Sequence, residues 1–186
     1  MDKKSLRKKI LNDRKKLSSE CLAEKSDKIV SWISGSEYFK TAVNISCYYP
    51  YKNEVNLLSL MKFTNKKILF PKVVEGSRKL DFYVAHSADD FEKGAYGIME
   101  PKKDLSFISI DEIDLFLTPG TAFSMEGERI GYGGGYYDTT LQYKNKNAKI
   151  IGICFDLQII DSGFADEWDR KMNELITEAG KVHLNR

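Results

Sequence analysis

The chain has 186 residues, of which 42% are apolar and 30% charged, and its formal net charge is +2. This length supports one sizeable hydrophobic core, and the composition is ordinary for a globular protein rather than a disordered one. The longest apolar run, IIGICF at 150–155, is too short to cross a bilayer. The charged start MDKKSLRKKI lacks the apolar stretch of a signal peptide.

The cysteines and histidines bear on compartment and metal chemistry. Cys21, Cys47 and Cys154 are odd in number and widely spaced, so they match neither a disulfide framework nor a zinc pattern. We therefore expect reduced thiols and a cytoplasmic protein. His86 and His183 are the only histidines, which argues against a histidine-rich metal site.

Two helices are predicted at the start of the chain. Apolar residues recur at helical spacing between Lys3 and Leu17, which is typical of an amphipathic helix. Ser18 and Ser19 then resemble an N-cap, and the second helix is expected to end at Gly35.

The rest of the chain alternates strands and helices without a linker. The segments rich in apolar and β-branched residues are predicted as strands: 42–50, 66–73, 80–86, 113–120, 148–156 and a last edge strand near the C-terminus. Segment 54–63 is predicted as a helix, 91–104 as a loop, and a further helix should follow Gly135. This alternation predicts an α/β fold with a largely parallel sheet, in a single domain over 1–186 with an N-terminal helical arm. Ligands of such sheets bind beyond the carboxyl ends of the strands.

Residues 1–16 form a basic arm, with eight Lys or Arg against two Asp, so the remainder of the chain has a net charge of −4. Such an arm can be a solvated helix face, a nucleic-acid arm or an anion clamp. All three interpretations are open at this point.

The segment GERIGYGGGYYD at 127–138 is unusually rich in glycine. It is not a P-loop, because no Gly-Lys-Ser/Thr occurs, and it lacks the third glycine of a dinucleotide fingerprint. Consecutive glycines can still turn several N–H groups toward an anion, near the positive end of a helix. Arg129 adds a bidentate cation, and Asp138 could hold a magnesium ion beside a phosphate. The segment therefore predicts a nucleotide-phosphate site; the alternative is a tight turn with close helix–sheet packing.

The stretch PGTAFSMEGERIGYGGGYYD at 119–138 resembles the motif of the 5-formyltetrahydrofolate cyclo-ligase family, also called methenyltetrahydrofolate synthetases. That motif reads P-G-x-A-F-x-x-x-G-x-R-[LI]-G-x-G-x-G-Y-Y-D, and every fixed position is met. The resemblance extends over nearly the whole chain, including YPYKNEVN, YGIMEP and DEWDRKMNELIT. It implies a three-layer α/β domain, in agreement with the alternating pattern.

The resemblance implies that ATP binds between the basic arm and the glycine segment. The family opens with K-x-x-x-R, matched by Lys3 and Arg7, which lie four residues apart and hence on one helix face. Arg129 is the further triphosphate-binding and catalytic cation. The remaining nucleotide-binding residues implied are Gly131, Gly133, Gly134, Gly135, Tyr136 and Tyr137.

The resemblance also implies a folate side. Glu54 would accept hydrogen bonds from the N–H groups of the reduced pterin, and a negative charge at a helix N-terminus is a second, compatible role for it. The family usually has a hydroxyl or an acid two residues later, where this chain has Asn56, so the role of that position is undefined. The aromatic residues predicted to line the folate side are Tyr49, Tyr96, Tyr132 and Tyr136.

The implied reaction converts 5-formyltetrahydrofolate and ATP to 5,10-methenyltetrahydrofolate, ADP and phosphate. Phosphorylation of the formyl oxygen lets N10 close the ring, so no enzyme nucleophile is needed. Asp138, the second implied catalytic residue, and Asp169 would hold Mg²⁺, with a lone surface aspartate as the alternative for Asp169. The partners are then small molecules, with no nucleic acid and no membrane, and we expect a monomer.

Two other classes of function are open. A nucleic-acid-binding module would use the basic arm and the tyrosines for stacking, but the low net charge and the lack of a known RNA-binding motif argue against it. A non-catalytic nucleotide sensor would keep the ATP loop without turnover. The presence of Glu54, Arg129 and Asp138 together favours the enzyme.

Overall fold

The computed structural model describes residues 2–161 and 170–185. Its α-helices are α1 (Lys3–Lys15), α2 (Ser19–Gly35), α3 (Glu37–Thr41) and α4 (Tyr136–Thr140). Its strands are β1 (Asn44–Ser46), β2 (Lys67–Val73), β3 (Leu80–Val84), β4 (Phe91–Lys93), β5 (Met99–Pro101), β6 (Phe107–Ile108), β7 (Leu115–Pro119), β8 (Ala122–Ser124), β9 (Arg129–Ile130), β10 (Lys149–Ile153), β11 (Ile159–Ile160), β12 (Glu174–Thr177) and β13 (Gly180–Val182). Within these ranges, no helix has the length and apolar character needed to cross a membrane.

An eight-stranded sheet forms the centre of the described structure, in the order β13-β12-β10-β7-β1-β2-β3-β6. The five inner strands β12, β10, β7, β1 and β2 run parallel to one another. β13 at one edge, and β3 and β6 at the other, run antiparallel to their neighbours. β7 is buried on both faces, since Leu115 and Leu117 pack in one apolar cluster and Phe116 in another. A strand covered on both faces reads as a continuous apolar run. The predicted α/β class with a largely parallel sheet is confirmed.

Helices cover both faces of this sheet. Ile29 and Ile33 of α2 pack in the cluster that contains Leu117. Leu141, directly after α4, packs in the cluster that contains Phe116. The expected three-layer arrangement is therefore confirmed.

The N-terminal helix α1 packs on a separate three-stranded sheet with the order β11-β8-β9. Leu6 and Ile10 of α1 form a small apolar cluster with Ala122 of β8 and Ile130 of β9. Because β9 lies within the glycine segment, this packing places the basic arm beside that segment.

Two predicted segments differ from the structure. Segment 54–63 was predicted as a helix but contains only a 3-10 turn. The Asn56 N–H donates to Ser26 Oγ, and the Asn56 side chain accepts from the Leu58 N–H. These hydrogen bonds replace those of an α-helix. The loop predicted at 91–104 contains the hairpin β4–β5. The helix predicted after Gly135 is confirmed as α4, which has five residues.

Candidate active site

A cleft of about 660 Å³ opens where β1 and β7 end. These strands are parallel neighbours, so the segments that follow them, 47–54 and 120–138, meet at one edge of the sheet. The hairpin β4–β5 and the start of α1 complete the walls. This position beyond the carboxyl ends of parallel strands is where α/β folds bind ligands.

The cleft brings together the predicted site residues that the structure describes. They are Lys3, Arg7, Tyr49, Glu54, Tyr96, Arg129, Gly131, Tyr132, Gly133, Gly134, Gly135, Tyr136, Tyr137 and Asp138. Asp169 lies outside the described residues. Asn56 lies outside the cleft lining, and its side chain accepts a hydrogen bond from the Leu58 N–H. The grouping of these residues is an observation, whereas their individual roles stay predictions.

The glycine segment lets two arginines approach the backbone. Gly133 and Gly135 have φ angles of +102° and +71°, which favour glycine. At Gly131 a Cβ atom would lie 2.7 Å from Arg129 Nη1, so a larger residue would displace the guanidinium. From the other side, Arg7 Nε donates to Gly131 O at 2.8 Å. The segment is therefore both a tight turn and a cationic surface.

Arg129 and Asp138 form an ion pair at the cleft wall. Arg129 Nη2 lies 2.8 Å from Asp138 Oδ1, and the two side chains are 4% and 25% exposed. The expectation that the Asp138 charge needs a metal ion is thus weakened, because Arg129 already neutralises it. The positive end of α4 contributes little, since the helix has five residues.

A magnesium site would depend on few protein ligands. Across 2–161 and 170–185, no three His, Cys, Asp or Glu side chains form a cluster that could hold a metal ion. Mg²⁺ beside nucleotide phosphates needs only one or two carboxylates, however. Asp138 borders the cleft and is suited to that number.

Glu54 is a buried acceptor in the wall of the cleft. Its side chain accepts from the Tyr51 N–H at 3.0 Å through Oε2, while Oε1 has no hydrogen-bond partner among the described residues. Burial raises the pKa of Glu54 from 4.5 to about 7, against the lowering effects of Arg14, the Tyr51 N–H and the nearby Tyr132 hydroxyl. No α-helix begins here, so the alternative role as a helix N-terminal charge does not apply.

Aromatic rings line the rest of the cleft. Tyr49 packs edge-on against Phe91 of β4, with ring centroids 5.0 Å apart. Tyr96, at the tip of the hairpin, has its hydroxyl 2.8 Å from the hydroxyl of Tyr136. This contact joins the hairpin to the first residue of α4 across the mouth of the cleft.

Arg14 is a residue that sequence reasoning missed. It was counted only within the basic arm, but its side chain is completely buried and donates to the Tyr132 hydroxyl at 2.5 Å. The signal was its spacing: Arg14 follows Leu6 and Ile10 at intervals of four, on the face of α1 that is buried.

Comparisons with known proteins agree with this geometry. The model of the 5-formyltetrahydrofolate cyclo-ligase family matches residues 1–178. The 5-formyltetrahydrofolate cyclo-ligase of Mycoplasma pneumoniae is 29% identical, over 96% of this chain and 99% of its own. That of Haemophilus influenzae is 27% identical, over 74% of this chain and 76% of its own.

Two solved structures are similar over the whole fold. The NMR structure of Aquifex aeolicus 5,10-methenyltetrahydrofolate synthetase has a TM-score of 0.87 at 33% identity, covering 100% of this chain and 94% of its own. The 5,10-methenyltetrahydrofolate synthetase of Mycoplasma pneumoniae has a TM-score of 0.78 at 27% identity, covering 96% and 99%.

Proposed function

We propose that this chain, which belongs to the 5-formyltetrahydrofolate cyclo-ligase family, converts 5-formyltetrahydrofolate to 5,10-methenyltetrahydrofolate with ATP, releasing ADP and phosphate. The observation that carries the proposal is the composition of this cleft. A buried carboxylate, whose Oε1 has no partner among the described residues, lines the same cleft as a glycine segment with Lys3, Arg7 and Arg129. A reaction between a folate and ATP needs both surfaces in one place.

On the phosphate side, we assign the triphosphate to Lys3, Arg7 and Arg129. Arg129 is also assigned the catalytic role of stabilising charge on the transferring phosphoryl group, since its guanidinium is buried and fixed by Asp138. The further nucleotide contacts are assigned to Gly131, Gly133, Gly134, Gly135, Tyr136 and Tyr137.

On the folate side, Glu54 Oε1 accepts hydrogen bonds from the pterin N–H groups. Burial of this carboxylate, together with an Oε1 atom that has no hydrogen-bond partner among the described residues, supports the assignment. The aromatic side chains assigned to the folate are Tyr49, Tyr96, Tyr132 and Tyr136.

The chemistry requires alignment and charge stabilisation rather than a protein nucleophile. The formyl group on N5 is an amide, and its oxygen is a poor leaving group. Transfer of the γ-phosphoryl group to that oxygen releases ADP and forms an imidate-like phosphate. N10 then bonds to the formyl carbon and loses its proton, the carbon–oxygen bond breaks, and inorganic phosphate leaves with that oxygen.

We assign Mg²⁺ to Asp138 and Asp169. When bound, the ion would offset the negative charge that develops on the phosphates. Asp138 supports this assignment through its place at the cleft, beside the phosphate-side cations.

We further expect a monomer that acts in the cytoplasm on small molecules, without nucleic-acid or membrane partners. Free Cys21, Cys47 and Cys154 suit a reducing compartment.

The proposal is tested by absorbance near the methenyl band after the protein is mixed with 5-formyltetrahydrofolate and Mg-ATP. We expect the band to grow only when all three are present. Growth without ATP would contradict the reaction. Stoichiometric nucleotide binding without growth would favour the non-catalytic sensor instead.

A further inference from the structure

We propose that Arg14 is a positioning residue that fixes the folate side and the phosphate side of the cleft relative to each other. The inference rests on the proposed function, because alignment of two substrates is what that reaction requires. Arg14 is completely buried in α1. Its guanidinium binds groups from three segments that line the cleft.

The hydrogen bonds of Arg14 use every nitrogen of the guanidinium. Nε donates to Lys52 O at 2.9 Å and Nη2 to Tyr51 O at 3.3 Å, both in the turn before Glu54. Nη2 also donates to the Tyr132 hydroxyl in the glycine segment at 2.5 Å, and Nη1 to Gly120 O after β7 at 3.4 Å. A planar fork with several donors can join three segments in this way, whereas a lysine ammonium cannot reach them all.

The turn that Arg14 binds has an unfavourable backbone. Lys52 and Asn53 have φ angles of 48° and 59°, a region that non-glycine residues adopt only when their surroundings fix it. Asn53 Nδ2 donates back to Arg14 O at 3.4 Å. Because the turn leads directly into Glu54, whose Oε2 accepts from the Tyr51 N–H, Arg14 determines where the Glu54 carboxylate lies.

Arg14 also acts on Glu54 through its charge. It is the main cause that lowers the pKa of Glu54 against the effect of burial. Lysine at position 14 would keep the positive charge but lose the planar guanidinium, whereas methionine would lose both. The two variants should therefore differ in the pH dependence of activity. Arg129 of β9 and Tyr132 also lower the pKa of Glu54, and the Glu54 charge in turn raises the pKa of Tyr48 after β1 and of Tyr137 of α4.

The experiment compares Arg14→Lys and Arg14→Met with Lys15→Met, an exposed neighbour on α1. Circular dichroism and urea unfolding first establish the folded fraction of each protein. Methenyl formation is then measured against each substrate and against pH. In folded Arg14→Lys we expect kcat/KM for 5-formyltetrahydrofolate to fall on the order of 10²-fold, as misalignment of reactants by about 1 Å can cause, with a raised KM for ATP as well.

The acid limb of the pH dependence of kcat/KM for methenyl formation separates the two variants. Arg14→Lys should keep it near the wild-type position, whereas Arg14→Met should move it to higher pH, because Glu54 loses a neighbouring cation. Lys15→Met should resemble wild type in every measurement. If Arg14→Met does not fold, the KM values of Arg14→Lys decide alone.

Folded Arg14 variants with wild-type kinetics would overturn the proposal. So would losses that follow only the unfolded fraction, with unchanged KM and pH profile, since Arg14 would then be purely structural. If the wild type itself forms no methenyl product, the proposed function fails, and calorimetry of ATP binding tests Arg14 separately. Weaker binding by folded Arg14→Lys would support its positioning role, and equal affinity would overturn it.

Discussion

Replacing Glu54 with Gln should stabilise the ligand-free protein above neutral pH while weakening folate binding. Burial raises the pKa of Glu54 from 4.5 to about 7, even with Arg14 nearby. Gln has nearly the size of a protonated Glu and carries no charge, so the variant imitates the neutral form. The substitution therefore separates the effect of the buried charge on protein stability from its role in folate binding.

The sign and the size follow from proton linkage. With an ordinary pKa of 4.5 in the unfolded chain and about 7 in the folded chain, the folded state binds more protons between these values. The stability contributed by protonated Glu54 is therefore fully present below 4.5 and is lost as pH rises through 7. Each unit of pKa difference between the folded and unfolded states corresponds to about 1.4 kcal/mol, so ionised Glu54 should destabilise the folded state by about 3 kcal/mol above pH 7.

Urea unfolding of wild type and Glu54→Gln near pH 5 and pH 8 measures this effect. We expect the variant to be the more stable protein at pH 8 and the difference to become small near pH 5. The exposed Glu75→Gln is the matched control and should show no such dependence. Parallel stability curves for wild type and Glu54→Gln would refute the raised pKa, and methenyl formation at the wild-type KM would refute the folate role.

Three further predictions concern the phosphate side. Arg7→Ala should raise the KM for ATP more than that for the folate, because Arg7 would neutralise phosphate charge; an ATP KM equal to that of the exposed control Lys8→Ala would make the arm a surface feature. Asp138→Asn should fold and lose most turnover, with partial rescue by added magnesium and a weaker defect in Asp169→Asn. Because Asp138 neutralises Arg129, tighter ATP binding without a change in magnesium dependence would instead remove Asp138 from the metal site. ATP hydrolysis without 5-formyltetrahydrofolate should be negligible, since the acceptor oxygen belongs to that substrate, and a fast uncoupled hydrolysis would contradict the transfer.

The centre of the large sheet was predictable because its inner strands, such as β7 and β10, are buried along nearly their whole length. β7 and β10 read as continuous apolar runs, a pattern that depends on local composition alone. β8, β9 and β11 contain only three, two and two residues, which is too short for any periodicity to appear. The helix predicted at 54–63 failed because Asn56 bonds to Ser26 of α2, a tertiary contact that helical spacing does not reveal.

The site was predictable as a set of residues but not as a network. Fixed motif spacing identified residues that the structure brings together in one cleft, yet it did not show that Asp138 pairs with Arg129. It also did not show that Arg14 is buried, because that depends on partners such as Gly120 and Tyr132, 106 and 118 residues away in the chain. Pairings of this kind become visible only when distant segments are placed in space.

The central claim is that the γ-phosphoryl group of ATP is transferred to the formyl oxygen. The most direct measurement uses 5-formyltetrahydrofolate labelled with ¹⁸O in the formyl group, with mass spectrometry of the products of turnover with Mg-ATP. We expect one ¹⁸O atom in the inorganic phosphate for each methenyl product formed, and no label in ADP. Methenyl product accompanied by unlabelled phosphate would show that the oxygen leaves by another route and would contradict transfer to the formyl oxygen.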